Sequence, residues 1–403
     1  MFGWEFPPHN SGGLGVASAK LASALASSGV EVVFVLPRRL PVSEMPFTIL
    51  FADETPITLR EARAFSSGYV SSEWYRTHRA FARSSNYGAT LFEEVTRYAI
   101  RAASIAQNEQ CDVLHAHDWL SFGAGVNAKR VSQKPLASHV HATEFDRTGG
   151  SHINEEVYLR EKAGMDGADR VIAVSALTKR KINEHYMVPE DKIDVVYNSV
   201  DENNGISATT DGLRNFKSAT GKRMVLFVGR FTLQKGPDYF LRAAKLVLSH
   251  DKNVFFVMAG SGDMEHQIVR MAAELGIGEN VFFAGFVRGE ELSALYRAAD
   301  VFVMPSVSEP FGITTLESLS HGTPVIISKQ SGVSEVLRHA LKVDFWDVEE
   351  MANKIISVLH NRSLKTSLEE YGRREAIKYT WRDAAAKVVE IYRRLLDRSL
   401  ASI

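Results

Sequence analysis

The chain has 403 residues, 45% of them hydrophobic and 24% charged, a composition that excludes both an intrinsically disordered and a fibrous protein. That length is too great for one ordinary core and suits two α/β domains of ~180–200 residues each. Lys plus Arg (47) and Asp plus Glu (48) balance to a formal net charge of −1, so no global basic field draws in nucleic acid.

Cys111 is the only cysteine, which rules out an internal disulfide framework and suits a reducing compartment. No run of ~18 apolar residues reads as a spanning segment, and no basic-then-apolar leader opens the chain. The expected location is the cytoplasm.

Met1 to Pro8 leave almost no room for a first strand, so the first sheet is expected to start short. Gly12-Gly13-Leu14-Gly15 then leads into a helix to Ser28, and its backbone N–H groups and positive helix end suit an anion. It is not a dinucleotide fingerprint, which needs a clear preceding strand and an acid about 20 positions later.

The runs Val30–Leu36, Val113–His117, Leu136–His141, Arg170–Val174 and Ile193–Tyr197 alternate with helical patterns such as Thr90–Gln107. Strand–helix alternation predicts a parallel sheet with helices on both faces. Residues 55–86 give no readable pattern. His115/His117 and His139/His141 end two strands, and a period of two puts each pair on one face. Asp118, Glu144 and Asp146 could add oxygen ligands to a metal there. No His-Glu-x-x-His, paired-cysteine or Asp-x-Asp pattern accompanies them, so no metal is expected; one histidine of each pair is expected in a cleft and the other in the core.

Residues 201–223, rich in Asn, Ser, Thr and Gly without periodicity, read as an interdomain linker. A second strand series follows at Met224–Gly229, Val254–Gly260, Val281–Gly285, Val301–Pro305 and Pro324–Ser328. The first of these ends in Gly229-Arg230 and continues to Lys235-Gly236, a planar fork and a point charge suited to a diphosphate. Gly260 to Asp263 form a turn that either faces a nucleotide or is a plain loop. Ser331 to Glu335 offer a further helix start.

After Val301–Pro305 comes Ser308-Glu309-Pro310-Phe311-Gly312-Ile313-Thr314-Thr315-Leu316-Glu317. Two carboxylates here straddle a Phe-Gly turn that opens a helix, at the sheet edge where open α/β folds bind ligands. Ionised carboxylates only accept hydrogen bonds, which suits sugar or ribose hydroxyls. The last helix, from Trp381 to Arg398, carries apolar residues at helical spacing and needs a surface to cover. Domains are therefore expected at 1–205 and 206–380, with 381–403 returning to the first.

Taken together, Gly12-Gly13-Leu14, His115-Ala116-His117-Asp118-Trp119, Gly229-Arg230 with Lys235-Gly236, and Glu309 to Glu317 resemble the retaining nucleotide-sugar glycosyltransferases of family 4. These are related to bacterial glycogen and starch synthases. The resemblance covers nearly the whole chain and implies the GT-B fold, two Rossmann-like domains with parallel sheets facing a central cleft.

It further implies roles. Glu309 contacts the donor sugar's hydroxyls and Glu317 the nucleotide ribose, while Arg230 and Lys235 neutralise the departing diphosphate. His141 lies beside the donor sugar and Asp118 on the acceptor side. Gly12, Gly13, Gly260, Phe311, Gly312, Ile313 and Thr314 complete the donor site. The implied reaction moves a hexose, glucose first, from an ADP-, UDP- or GDP-linked donor to a carbohydrate or glycoconjugate hydroxyl, a glucan among them, with retention and without metal or other cofactor.

One departure bears on ADP-glucose use and glucan extension. Glycogen and starch synthases typically carry Lys-x-Gly-Gly-Leu-x-Asp, where this chain reads Asn10-Ser11-Gly12-Gly13-Leu14-Gly15-Val16. The competing expectations are another hexosyltransferase of the family, such as a mannosyltransferase, a nucleotide-sugar epimerase, a glucan phosphorylase, disfavoured because nothing suggests a pyridoxal-phosphate lysine, or a sugar-binding module without catalysis.

Overall fold

The computed structural model describes residues 1–9, 12–54, 91–150, 152–200 and 221–401. The segment around 55–86 and most of the linker at 201–223 lie outside the described residues.

In the first half, strands β1 (Val33–Leu36), β2 (Thr48–Phe51), β3 (Leu114–His117), β4 (Leu136–Val140), β5 (Arg170–Ala173) and β6 (Ile193–Val195) pair in parallel as β1-β2 and β3-β4-β5-β6. Met1–Gly3 stitch the two sets together. Phe2 forms parallel bridges to Val35 and Ala116, its N–H donating to His115 O (2.7 Å) while His117 N donates to Phe2 O (3.0 Å). Three residues thus fill a central sheet position, one too short for any periodicity to announce. β2 was likewise absent from the expected strands, since Thr48–Phe51 shows no alternation.

Helices α1 (Gly13–Ser27), α2 (Leu91–Asn108), α3 (Trp119–Ser132), α4 (Glu144–Arg147), α5 (Glu155–Gly167) and α6 (Ala176–Tyr186) cover this sheet. α1 begins at Gly13, inside the glycine run rather than after it. Its Leu21, Ala22 and Leu25, at most 1% exposed, recur at helical spacing on the core face.

The second half holds one six-stranded parallel sheet in the order β12-β11-β10-β7-β8-β9. Its strands are β7 (Arg223–Val228), β8 (Val254–Ala259), β9 (Val281–Gly285), β10 (Val301–Met304), β11 (Val325–Ser328) and β12 (Leu341–Val343). β7, β8 and β10 are apolar on both faces because helices lie on each. The helices are α7 (Pro237–His250), α8 (Glu265–Glu274), α9 (Gly289–Ala298), α10 (Ile313–Ser320), α11 (Val348–His360) and α12 (Arg362–Ala376).

The last helix, α13 (Trp381–Ala401), crosses back. Its Ala385, Val388, Ile391 and Leu395 pack in one cluster with Leu21, Leu25, Phe34 and Ala137 of the first half. Burying four such side chains stabilises that contact by roughly 1.5–3 kcal/mol per large residue, less for alanine. Among the described residues no helix is long and apolar enough to cross a membrane.

Candidate active site

The C-terminal edges of the two sheets face each other, as contacts across the chain's midpoint show. Ser308, after β10, donates to Asp146 Oδ1 (2.6 Å), and Lys181 of α6 reaches both Asp146 (2.5 Å) and Ser308 (2.5 Å). Ser175, after β5, donates to Pro310 O (2.6 Å), and Glu335 accepts from Ala176 N (2.9 Å) at the start of α6. Arg288, after β9, donates to Pro8 O (2.6 Å) in the loop that leads to α1. The loops that follow the strands of the two sheets therefore meet one another.

On the second domain's side, β10 ends at Met304 and the chain turns at Gly312 into α10. Gly312 has φ 108°, a conformation that strains any residue with a Cβ, and an added Cβ would also meet Met304 and Val333. Phe311 is buried and stacks on Tyr197 at 5.9 Å. Thr315 donates to Met304 Sδ (3.4 Å) beneath the turn, with Ile313 and Thr314 half-buried beside it.

Glu309, 6% exposed, accepts from Lys235 Nζ (2.6 Å) and Ser306 Oγ (3.1 Å), and its backbone bridges Ser331. Lys235 is delivered by a short turn after β7 that closes at Gly236 (φ 62°), where a Cβ would sit 2.3 Å from Pro305 O. The basic and acidic motifs, 74 residues apart, thus share one spot. Arg230 is exposed at the same strand end, and among the described residues it pairs with no carboxylate. Gly260 packs so closely on Gly229 O that a Cβ would lie 1.9 Å away, which keeps the β7 and β8 ends in contact. Glu317, one helical stretch behind, accepts from Tyr296 Oη (3.0 Å).

Opposite, α1 starts at Gly12 with no side-chain cap and no acid in its first turn, as does α10 at Gly312. α4, α5, α6, α11 and α12 are capped by Thr143, Asn154, Ser175, Asp347 and Asn361, whereas α3, α7, α8 and α9 also lack a side-chain cap, α3 without an acid in its first turn as well. Uncapped N–H groups at a positive helix end favour an anion. Among the described residues, a Cβ at Gly12 or Gly13 would meet no atom within 4 Å.

Asp118 follows β3 with φ 58°, an uncommon conformation for a residue with a side chain. Its Oδ1 accepts from His141 N (2.6 Å), tying the ends of β3 and β4. Burial pushes its carboxyl up to about 7, with Arg147 and the backbone donors pulling the other way. His141 is half-buried and burial lowers its ring to about 3, so it is neutral at pH 7.

Three sequence expectations change. His115, His117 and His139 are all buried, so the pairs do not divide evenly between cleft and core; only His141 stays partly open. Glu144 pairs with Arg147, and Asp146 caps Thr143 while bonding Lys181 and Ser308, so neither is free as an oxygen ligand. Gly332–Glu335 is one turn of 3₁₀ helix, too short to offer a helix end of its own.

Sequence reasoning missed Lys181, Ser308 and Ser175, whose partners lie up to 162 residues away. The Ser directly before Glu309 was the available signal.

Two facing Rossmann-like domains with basic and acidic groups at the strand ends are compatible with a glycosyltransferase, and comparison makes the assignment. The chain matches the family model for glycosyltransferase family 4 over residues 11–204 and that for glycosyl transferases group 1 over residues 212–375. It is 30% identical to an uncharacterized glycosyltransferase of Methanocaldococcus jannaschii, covering 98% of this chain and 97% of that protein. It is 26% identical to glycogen synthase of Mycobacterium tuberculosis, covering 97% and 93%.

Among solved structures, sucrose-phosphate synthase from Thermosynechococcus elongatus superimposes with a TM-score of 0.77 at 21% identity, covering 98% and 96%, a likeness of fold. The protein belongs to the family 4, group 1 glycosyltransferases, with the GT-B fold.

Proposed function

We propose that the protein is a retaining hexosyltransferase that moves glucose, in preference to mannose or another hexose, from a nucleoside diphosphate to a hydroxyl of a carbohydrate or glycoconjugate. The observation that carries this reading is the contact between Lys235 and Glu309 in the cleft. It sets a cation for a diphosphate against an acceptor-only group for sugar hydroxyls, within one hydrogen bond of each other.

When the donor enters, its β-phosphate takes the lysine, and the Glu309 carboxylate turns to the sugar's hydroxyls. Arg230, exposed at the same edge, adds its fork to the phosphates, and the N–H groups at Gly12 and Gly13 approach from the other domain. Gly260, Ile313 and Thr314 line the donor's bed, with Glu317 holding ribose hydroxyls. The bond from the anomeric carbon to the phosphate oxygen breaks, and the acceptor oxygen bonds to that carbon on the same face. The acceptor's proton passes to the leaving phosphate. Arg230 and Lys235 stabilise the charge that develops there, with no metal or cofactor assigned to the step. Neutral His141 donates or accepts one hydrogen bond beside the sugar, and Asp118 orients the acceptor side.

A glucan acceptor draws support from the glycogen synthase relative, and the Asn10 to Val16 sequence, lacking that group's Lys and Asp, weighs toward a different glycoconjugate acceptor. The test is a panel of ADP-, UDP- and GDP-glucose and GDP-mannose, scored by thermal shift and by NMR of the product. One donor is expected to stabilise the fold by about 2.7 kcal/mol at a hundredfold excess over Kd, and the product is expected to keep the donor's anomeric configuration. Failure of every nucleotide sugar to stabilise the protein overturns the reading. An inverted product overturns retention, and conversion of donor without acceptor establishes an epimerase instead.

A further inference from the structure

The sheet face beneath α1 and α13 holds an arrangement that the transfer reaction does not use. His115 and His117 of β3 and His139 of β4 lie on one face, because β3 and β4 pair with His117 opposite His139. The next residue on that face is His141, just past β4. The four rings stack in two pairs, His115 on His117 with centroids 4.5 Å apart and His139 on His141 at 4.4 Å.

One ring nitrogen from each of His115, His117 and His139 lies within 4.8 Å of the other two. His115 Nε2 and His139 Nδ1 are 3.2 Å apart. Two imidazole nitrogens bound at about 2.0–2.1 Å to one tetrahedral ion would stand ~3.3 Å apart.

Hydrogen bonds leave this cluster incomplete. Among the described residues, Nε2 of His117 and Nε2 of His139 are fully buried without a partner, although His139 Nδ1 shares a hydrogen bond with His115 Nε2, and native interiors avoid such orphaned atoms. The outer nitrogens of His115 and His117 are held in the way that metal-binding histidines are usually held from behind. Tyr392 Oη bonds His115 Nδ1 (2.6 Å), and His141 Nε2 bonds His117 Nδ1 (3.0 Å).

We propose that His115, His117 and His139 form a binding site for a divalent first-row transition ion of the zinc class, between the first-domain sheet and α13. Three imidazoles suit Zn²⁺, Co²⁺ or Ni²⁺ and disfavour Mg²⁺ and Ca²⁺, which take oxygen ligands. The ion would sit behind His141 and outside the transfer step, fixing the tautomer of His117 and through it the ring that borders the cleft. Tyr392 connects the same site to the helix that returns from the second domain. This revises the expectation, drawn from the lack of a recognised metal motif, that these histidines hold no ion.

The test uses the full chain, stripped with chelator and titrated with Co²⁺ and then Zn²⁺, read by visible absorption, calorimetry and thermal melting. The expected result is one Co²⁺ per chain with the intense bands of a tetrahedral site, displaced by Zn²⁺, and a melting temperature raised by the metal. His139→Leu is expected to abolish the bands while circular dichroism stays that of the folded protein. Should that variant not fold, Tyr392→Phe keeps all three ligands and is expected to weaken Co²⁺ binding ~10–100-fold. No saturable binding by the wild type overturns the proposal. So does binding that His139→Leu and Tyr392→Phe leave unchanged.

Discussion

Asp118 shows how one residue's environment sets a measurable pH dependence. Its carboxyl rises to about 7 in the fold, mainly by burial, against about 3.9 in the unfolded chain. Between those values the native state holds a proton that the unfolded state has released, so the group's contribution is fully present below about pH 4 and is lost as pH rises through 7. Asp118→Asn keeps a carbonyl oxygen for the His141 N–H and carries no charge. It is expected to gain on the wild type by about 2–3 kcal/mol between pH 5 and pH 8 in urea unfolding. A difference that does not change with pH would show that the carboxyl titrates normally.

Residues of this kind differ in how far sequence reveals them. Gly312 and Gly236 were legible because a helix start at positive φ calls for glycine, and each marked its neighbour, Phe311 or Lys235. The His-x-His pairs were legible as pairs, since alternation along a strand fixes their face. That the two pairs interleave was not, because the register placing His117 opposite His139 is a property of the assembled sheet.

At the scale of elements, the loop after β10 is held against α4 and α6 by Ser308, which reaches across the domains to bond both members of the Asp146–Lys181 ion pair of the first domain. Asp146 is fully buried; burial pushes its carboxyl up, but Lys181, Ser308 and Thr143 together outweigh that and leave it below the ordinary range. Its contribution is present above about pH 4 and is lost as pH falls through the lower native value.

Lys181→Met removes the cation and leaves the carboxylate in place, which typically costs about 3 kcal/mol or more. Because Ser308 precedes Glu309, the donor KM is expected to rise as well. Asp146→Asn combined with Lys181→Met is expected to recover much of the stability. Equal stability of wild type and Lys181→Met would mean the pair is solvated.

The elements themselves were largely legible. Most strands of both sheets follow apolar runs of four to six residues. Met1–Gly3, β2 and β12 were not legible, being three or four residues long and held in place by their neighbours. α13 was readable as an amphipathic helix in want of a surface, and its partner α1 emerged only with the fold.

At the scale of the whole molecule, the two sheets present their C-terminal edges to each other, and each supplies what the other lacks. The first domain brings an uncapped helix start, His141 and Asp118; the second brings Arg230, Lys235, Glu309 and Glu317. Several motifs in order along the chain made this division readable before the fold was known. Residues 55–86 carry no readable pattern and lie outside the described residues.

The proposed grip on the donor depends on the lysine meeting phosphate, which calorimetry of nucleotide binding addresses directly. Nucleoside diphosphate and nucleoside of the preferred base would be titrated into wild type and Lys235→Ala. The account predicts that the variant binds the diphosphate at least ~10-fold more weakly, losing one charge-assisted hydrogen bond of about 1.5–3 kcal/mol, and binds the nucleoside as before. Diphosphate affinity unchanged by Lys235→Ala would contradict it.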